Sequence, residues 1–177
     1  MSLGLAIHES ARVVNVSVLS DATVEVRGEA VAVDRDYLVR RYLHYLDVGA
    51  GAFVKAISEM TSDESYPMVF NCFFGKDRTG VLAALVLSCV GVEHDEIVKE
   101  YALTASRVPF ILEKLNEDPL YRETIARTNP ILLSAHEHTM ARFLQQVDER
   151  FGGARSWAMN AGVTPQQLSA LRDLVLE

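Results

Sequence analysis

Hydrophobic and polar positions change rhythm along the chain. From Arg12 to Ser20, RVVNVSVLS alternates apolar and polar residues and is rich in β-branched side chains, which predicts a strand. Thr23 to Val33, TVEVRGEAVAV, has strand character too, with Arg27-Gly28 as the turn of a short hairpin or as a loop. From Asp34 the period lengthens. Asp34 reads as a helix N-cap, and Tyr37, Leu38, Arg41, Tyr42 and Tyr45 recur behind it at helical spacing. A second helix is predicted over Ala50 to Met60, closed by the polar turn TSDESYP. Met68 to Cys72, MVFNC, is a short apolar run that predicts a buried strand.

Beyond it, VLAALVLSCVG is apolar on every face. Such a helix belongs at the centre of a domain, with Gly91 as its stop. EHDEIVKEYALTA follows as an amphipathic helix, and further helices are predicted over about 109–116, 120–128, 134–151, 154–160 and 164–176. The last has Thr164 as N-cap, Pro165 at the first helical position and Gln167 three after the cap, a capping-box pattern. This order predicts an α/β fold: a small, mainly parallel central sheet with helices on both faces and a helical C-terminal half. No repeat or linker interrupts it, so 1–177 reads as a single domain.

Composition narrows the function. With 49% hydrophobic and 23% charged residues, long disorder is excluded. The net charge of −7 disfavours nucleic acid and anionic membranes as partners, so an anionic substrate would need a local positive site. No apolar run reaches the ~18 residues of a membrane span, and no leader peptide is evident. Two cysteines, Cys72 and Cys89, make no disulfide framework; the expectation is a reducing cytoplasm. His136 and His138 are two apart and diverge on a helix, and no spacing points to zinc, so no metal or cofactor is expected.

The chemistry concentrates in VFNCFFGKDRTGV, Val69 to Val81. The loop after Cys72 leads into the N-terminus of the central helix. Inward backbone N–H groups of Phe73, Phe74, Gly75, Lys76, Asp77 and Arg78, with the positive helix end, would make an anion cradle. Gly75 permits tight bending, and the Arg78 guanidinium can grip two phosphate oxygens in a fork. The same field acidifies Cys72, whose thiolate then faces bound phosphate as a nucleophile. Thr79 can donate its hydroxyl to the sulfur. A nucleotide-binding P-loop is excluded, because Asp77 and Arg78 follow Lys76 where Ser or Thr is required. Cys89, on the all-apolar helix, reads as core; a resolving disulfide with Cys72 is the alternative and needs close approach. Arg40, Arg41 and Arg107 read as surface charges, Arg107 with the option of reaching the site's rim. Trp157 reads as a packing anchor.

These residues resemble the cysteine-dependent protein tyrosine phosphatases, and most closely a bacterial branch whose loop reads Cys-x-x-Gly-Lys-Asp-Arg-Thr-Gly. CFFGKDRTG matches it at Cys72, Gly75, Lys76, Asp77, Arg78, Thr79 and Gly80. The likeness runs from about Arg12 to Glu177. It implies hydrolysis of phosphomonoesters through a cysteinyl-phosphate, with phosphotyrosine proteins or small phosphoesters as substrates. Its Lys-Asp pair, Lys76-Asp77, implies phosphoinositides as a further class. The general acid is Asp77 within the loop or Asp21 in the acidic turn after the first strand.

Two departures stand out. Asn71 occupies the position of the family's His, which implies a less acidic thiol. One strand–helix–strand unit that family members carry ahead of the position of Arg12 is not evident, which implies an uncovered sheet edge and a homodimer through it. A non-catalytic phosphate-binding module and another thiol enzyme, such as a sulfurtransferase, stand as alternatives.

Overall fold

A computed structural model describes residues 11–18 and 34–176. Ten α-helices follow one another among these residues: α1 Tyr37–Val48, α2 Ala50–Glu59, α3 Asp77–Val90, α4 His94–Leu103, α5 Val108–Glu117, α6 Pro119–Arg127, α7 Pro130–Leu133, α8 Glu137–Phe151, α9 Ala154–Ala161 and α10 Pro165–Val175.

The helices begin and end where local chemistry directs. Asp34 starts the first turn with both its groups: its carboxylate accepts from the Asp36 N–H at 3.0 Å and its carbonyl from the Tyr37 N–H at 3.2 Å. Gly91 closes α3 with φ +95°, a left-handed stop that frees its N–H to reach back to the last carbonyls of the helix. Thr164 and Gln167 form the reciprocal capping box of α10, at 3.2 and 2.9 Å. The turn α7 has no counterpart in the sequence reading; Asn129 caps it through the Ile131 N–H at 3.0 Å.

α3 is the centre. Val81, Leu82, Ala84, Leu85, Val86, Cys89 and Val90 are all buried, and α1, α4, α9 and α10 pack around it. α8 packs on α1 and α4 on another side. Tyr42, Tyr45, Phe53 and Phe143 are the largest apolar bodies sealed inside. Trp157 packs edge-on against Phe53. Burying an aromatic body of this kind stabilises by about 2–3 kcal/mol each.

The α/β expectation is overturned: no strand and no sheet occur among the described residues, which are helices and connecting segments. Met68 to Cys72 runs without a ladder partner, and Val69 is 94% exposed rather than buried. Residues 11–18 likewise form no strand there; the remainder of that predicted strand and the whole of Thr23 to Val33 lie outside the described residues. The physical reason is that strand propensity describes a side-chain pattern that suits a pleated, half-covered surface, whereas a strand exists only through hydrogen bonds to a second segment. The pattern itself is real. Val14, Val16 and Val18 are partly covered while Val13, Asn15 and Ser17 are exposed, a period of two without a ladder. Val18 lies against Gly49, where an added Cβ would come within 2.7 Å of it, and Arg12 ties the segment to Glu59 at 2.7 Å.

Candidate active site

The loop from Cys72 to Asp77 leads straight into α3. Gly75 takes φ +69°, a conformation that a side chain would strain, and this turns the chain towards the helix N-terminus. Asp77 stands in the first turn of α3, where a carboxylate complements the helix dipole.

Cys72 and Thr79 close the loop on itself. The Cys72 backbone N–H donates to Thr79 Oγ1 at 2.8 Å. With its oxygen used as an acceptor, the Thr79 hydroxyl hydrogen is left to point at the sulfur. Burial pushes the Cys72 thiol up, but hydrogen bonds from Thr79, the Arg78 charge and the Lys76 backbone N–H outweigh it. The thiol is held below its ordinary value. The Arg78 side chain makes no hydrogen bond or ion pair with another described residue, so its fork is open.

Lys76 and Asp77 are placed differently from the backbone cradle. Lys76 is 1% exposed, and its ammonium donates to Asp77 Oδ1 at 2.8 Å and to the Ser134 carbonyl at 2.9 Å. Asp77 Oδ1 also accepts from the Tyr42 hydroxyl at 2.7 Å, and that hydroxyl lies 2.7 Å from the Tyr101 hydroxyl. A buried ammonium needs such partners, since an unpaired charge inside the protein is costly. Lys76 therefore reaches the loop through its backbone N–H, while its charge ties α3 to the segment before α8. Tyr42 and Tyr101 resist ionisation, chiefly through burial, and serve Asp77 as neutral partners. Gly80 makes this approach possible: a Cβ there would lie 2.9 Å from the Tyr101 ring.

Sequence reasoning did not find Tyr42, Tyr101 or Ser134 as supports of the loop. Tyr42 and Tyr101 stood on predicted helix faces, but their polar ends carried no signal. Arg41 is a further correction: it is partly buried, and its guanidinium donates to the Tyr45 hydroxyl rather than standing as a surface charge. Arg107 is exposed at the start of α5. Asn71 is exposed beside Cys72. The Phe73 ring meets Tyr121 of α6 with centroids 5.0 Å apart, so the loop borders α6. Asp21 lies outside the described residues. No group of His, Cys, Asp or Glu among the described residues could hold a metal. No helix among them is long and apolar enough to cross a membrane.

The loop thus brings together a thiol held below its ordinary value, ahead of a helix N-terminus, and an arginine side chain six residues on. The sequence profile described as the tyrosine phosphatase family matches residues 5–177, and the chain belongs to that family. It is 29% identical over 121 residues to the triple specificity protein phosphatase PtpB of Mycobacterium tuberculosis, covering 62% of this chain and 44% of that protein. It is 25% identical over 146 residues to a tyrosine-protein phosphatase of Nostoc commune, covering 77% of this chain and 48% of that one. The chain thus spans about half the length of the curated relatives it matches.

Proposed function

We propose that the chain hydrolyses phosphomonoesters, phosphotyrosine foremost, through a cysteinyl-phosphate. The Cys72 thiolate attacks phosphorus opposite the ester oxygen. The S–P bond forms as the P–O bond breaks, and the leaving oxygen takes a proton from the acid. Arg78 and the backbone N–H groups of Phe73 to Arg78 hold the three equatorial oxygens. Water then attacks the phosphorus, its proton passes to the acid's conjugate base, and the sulfur leaves as a thiolate steadied by the Thr79 hydroxyl. The carrying observation is Cys72: its thiol is lowered in spite of burial, by Thr79, Arg78 and Lys76 donors, the groups that this reading turns on a phosphate.

We assign Asp77 as the acid. Oδ1 is occupied by Lys76 and Tyr42, while Oδ2 makes no side-chain hydrogen bond or ion pair among the described residues. Asp21 is the alternative. Phosphoinositides are the second substrate class in this reading, and a thiolate nucleophile calls for a reducing compartment, the cytoplasm. Arg78-Thr79 and the Lys76-Asp77 pair weigh against a sulfurtransferase.

The test is turnover of p-nitrophenyl phosphate. Wild type hydrolyses it, and Cys72→Ser lowers kcat by at least about a thousandfold. Asn71 favours the second reading, a phosphate-binding module. Saturable vanadate binding without any wild-type turnover would establish that reading and overturn hydrolysis.

A further inference from the structure

Separate parts of the chain converge on one oxygen of Asp77. From α1, the Tyr42 hydroxyl reaches Oδ1 at 2.7 Å. From the loop, the Lys76 ammonium reaches the same atom at 2.8 Å and is itself held by the Ser134 carbonyl at 2.9 Å. From α4, the Tyr101 hydroxyl lies 2.7 Å from that of Tyr42. Both rings are sealed in the core, Tyr42 at 0% and Tyr101 at 3% exposure. Packing alone does not call for their hydroxyls. Tyr42 lies edge-on to Tyr101 and to Phe143, contacts that phenylalanine rings would make as well. A buried hydroxyl without a partner is costly, and among the described residues these two have their hydrogen bonds with each other and with Asp77.

The protons of this chain have a fixed direction. A carboxylate only accepts, so Tyr42 gives its one proton to Asp77, and Tyr101 must donate to Tyr42. Burial keeps both phenols neutral, so neither proton is lost. The incoming bond from Tyr101 polarises the Tyr42 O–H and strengthens its donation. Oδ1 thus takes two donors, which leaves Oδ2 as the place for a proton on Asp77.

We propose that Tyr42 and Tyr101 are positioning residues for the acid step. Their ordered donor chain pins Oδ1 of Asp77, directs the transferable proton to Oδ2 and stabilises the carboxylate left when that proton passes to the ester oxygen. The proposal rests on the assignment of Asp77 as the acid. It adds that two phenols, on α1 and α4, act through Asp77 to set how readily the proton leaves.

The test is a comparison of leaving groups. Phenyl phosphate has a leaving oxygen that needs the proton, and 2,4-dinitrophenyl phosphate has one that departs without it. The quantity read is the ratio of kcat/KM for the dinitrophenyl ester to that for the phenyl ester. Tyr42→Phe removes a hydrogen bond to a charged group and raises this ratio about tenfold. Tyr101→Phe leaves Tyr42 in place as a weaker donor and raises it about threefold. In the Asp77→Asn chain, which has no proton to direct, neither substitution changes the ratio further. A merely structural role lowers both substrates alike and leaves the ratio where it was. That result, or a ratio change that persists undiminished in the Asp77→Asn chain, overturns the positioning role while the acid assignment stands. Should Tyr42→Phe fail to fold, Tyr101→Phe decides by the same ratio. If Asp77→Asn itself leaves the ratio unchanged, the acid is elsewhere and the proposal falls with it. A wild-type chain that turns over neither ester overturns both.

Discussion

The two cysteines flank one helix and have opposite chemistry. Cys72 lies five residues before the start of α3, and Cys89 lies in its last turn. Burial pushes Cys89 up to about 11, with only a modest opposing influence from Arg155. Burial also opposes the Cys72 thiolate, yet the Thr79, Arg78 and Lys76 donors leave its thiol below the ordinary value of 9.0. Covering a thiol is therefore not what makes it inert or reactive here. The difference lies in donors: the N-terminal end of α3 supplies free N–H groups, a hydroxyl and a guanidinium, and the C-terminal end supplies apolar neighbours.

The largest test of this contrast concerns the donor end itself. Asp77→Asn keeps an oxygen for Tyr42 and Lys76, so the brace survives while the transferable proton is lost. With a poor leaving group such as phenyl phosphate, kcat falls on the order of 10²–10³-fold and the basic limb of the pH–rate profile disappears. An unchanged profile, with the limb lost in Asp21→Asn instead, would reduce Asp77 to a brace. Next in size is the alkylation rate of each cysteine with iodoacetamide, followed by mass spectrometry. Alkylation tracks thiolate, so each rate rises about tenfold per pH unit and levels off at the thiol pKa. Cys72 is lowered and Cys89 raised to about 11, so at pH 7 Cys72 carries far more thiolate and reacts about tenfold or more faster, the more basic Cys89 thiolate offsetting part of the difference. Cys72 levels off below pH 9 while Cys89 keeps rising. Comparable rates at pH 7 would erase the contrast.

Periodicity placed the helices well because helix formation is local: caps, apolar faces and stops lie within a few residues of one another. The central position of α3, Gly91 as its stop and the Thr164–Gln167 box were all legible that way. The predicted sheet failed, because a ladder depends on a distant partner that no window of sequence contains, and none is found among the described residues. MVFNC has the composition of a buried strand, yet Val69 is almost fully exposed. The reactive loop was legible as spacing, since Cys72, Arg78 and Thr79 lie within one turn and its helix. Its support was hidden, because Tyr42, Tyr101 and Ser134 come from three other parts of the chain. Lys76 shows the limit most clearly. Its backbone N–H belongs to the predicted cradle, but only the fold reveals that its ammonium turns inward to Ser134.

The smallest expected effect comes from Asn71, which stands where the resembling phosphatases carry His. Asn can donate and accept hydrogen bonds but cannot bring a positive charge to the thiolate. A histidine in its place would titrate near neutrality and, when protonated, add to the field of Arg78. Asn71 is exposed, so solvent would screen most of that charge. Asn71→His should therefore lower the Cys72 thiol only slightly and raise its alkylation rate at pH 6 by about threefold, with less gain at pH 8 where the new imidazole is neutral. Titrating Cys72 alkylation in both chains from pH 5 to 9 measures this. Identical curves would show that Thr79, Arg78 and the Lys76 N–H already set the thiol without help from position 71. A shift of a full unit or more would show that the donor end of α3 is incomplete in this chain, and that its contrast with Cys89 is smaller than it can be made.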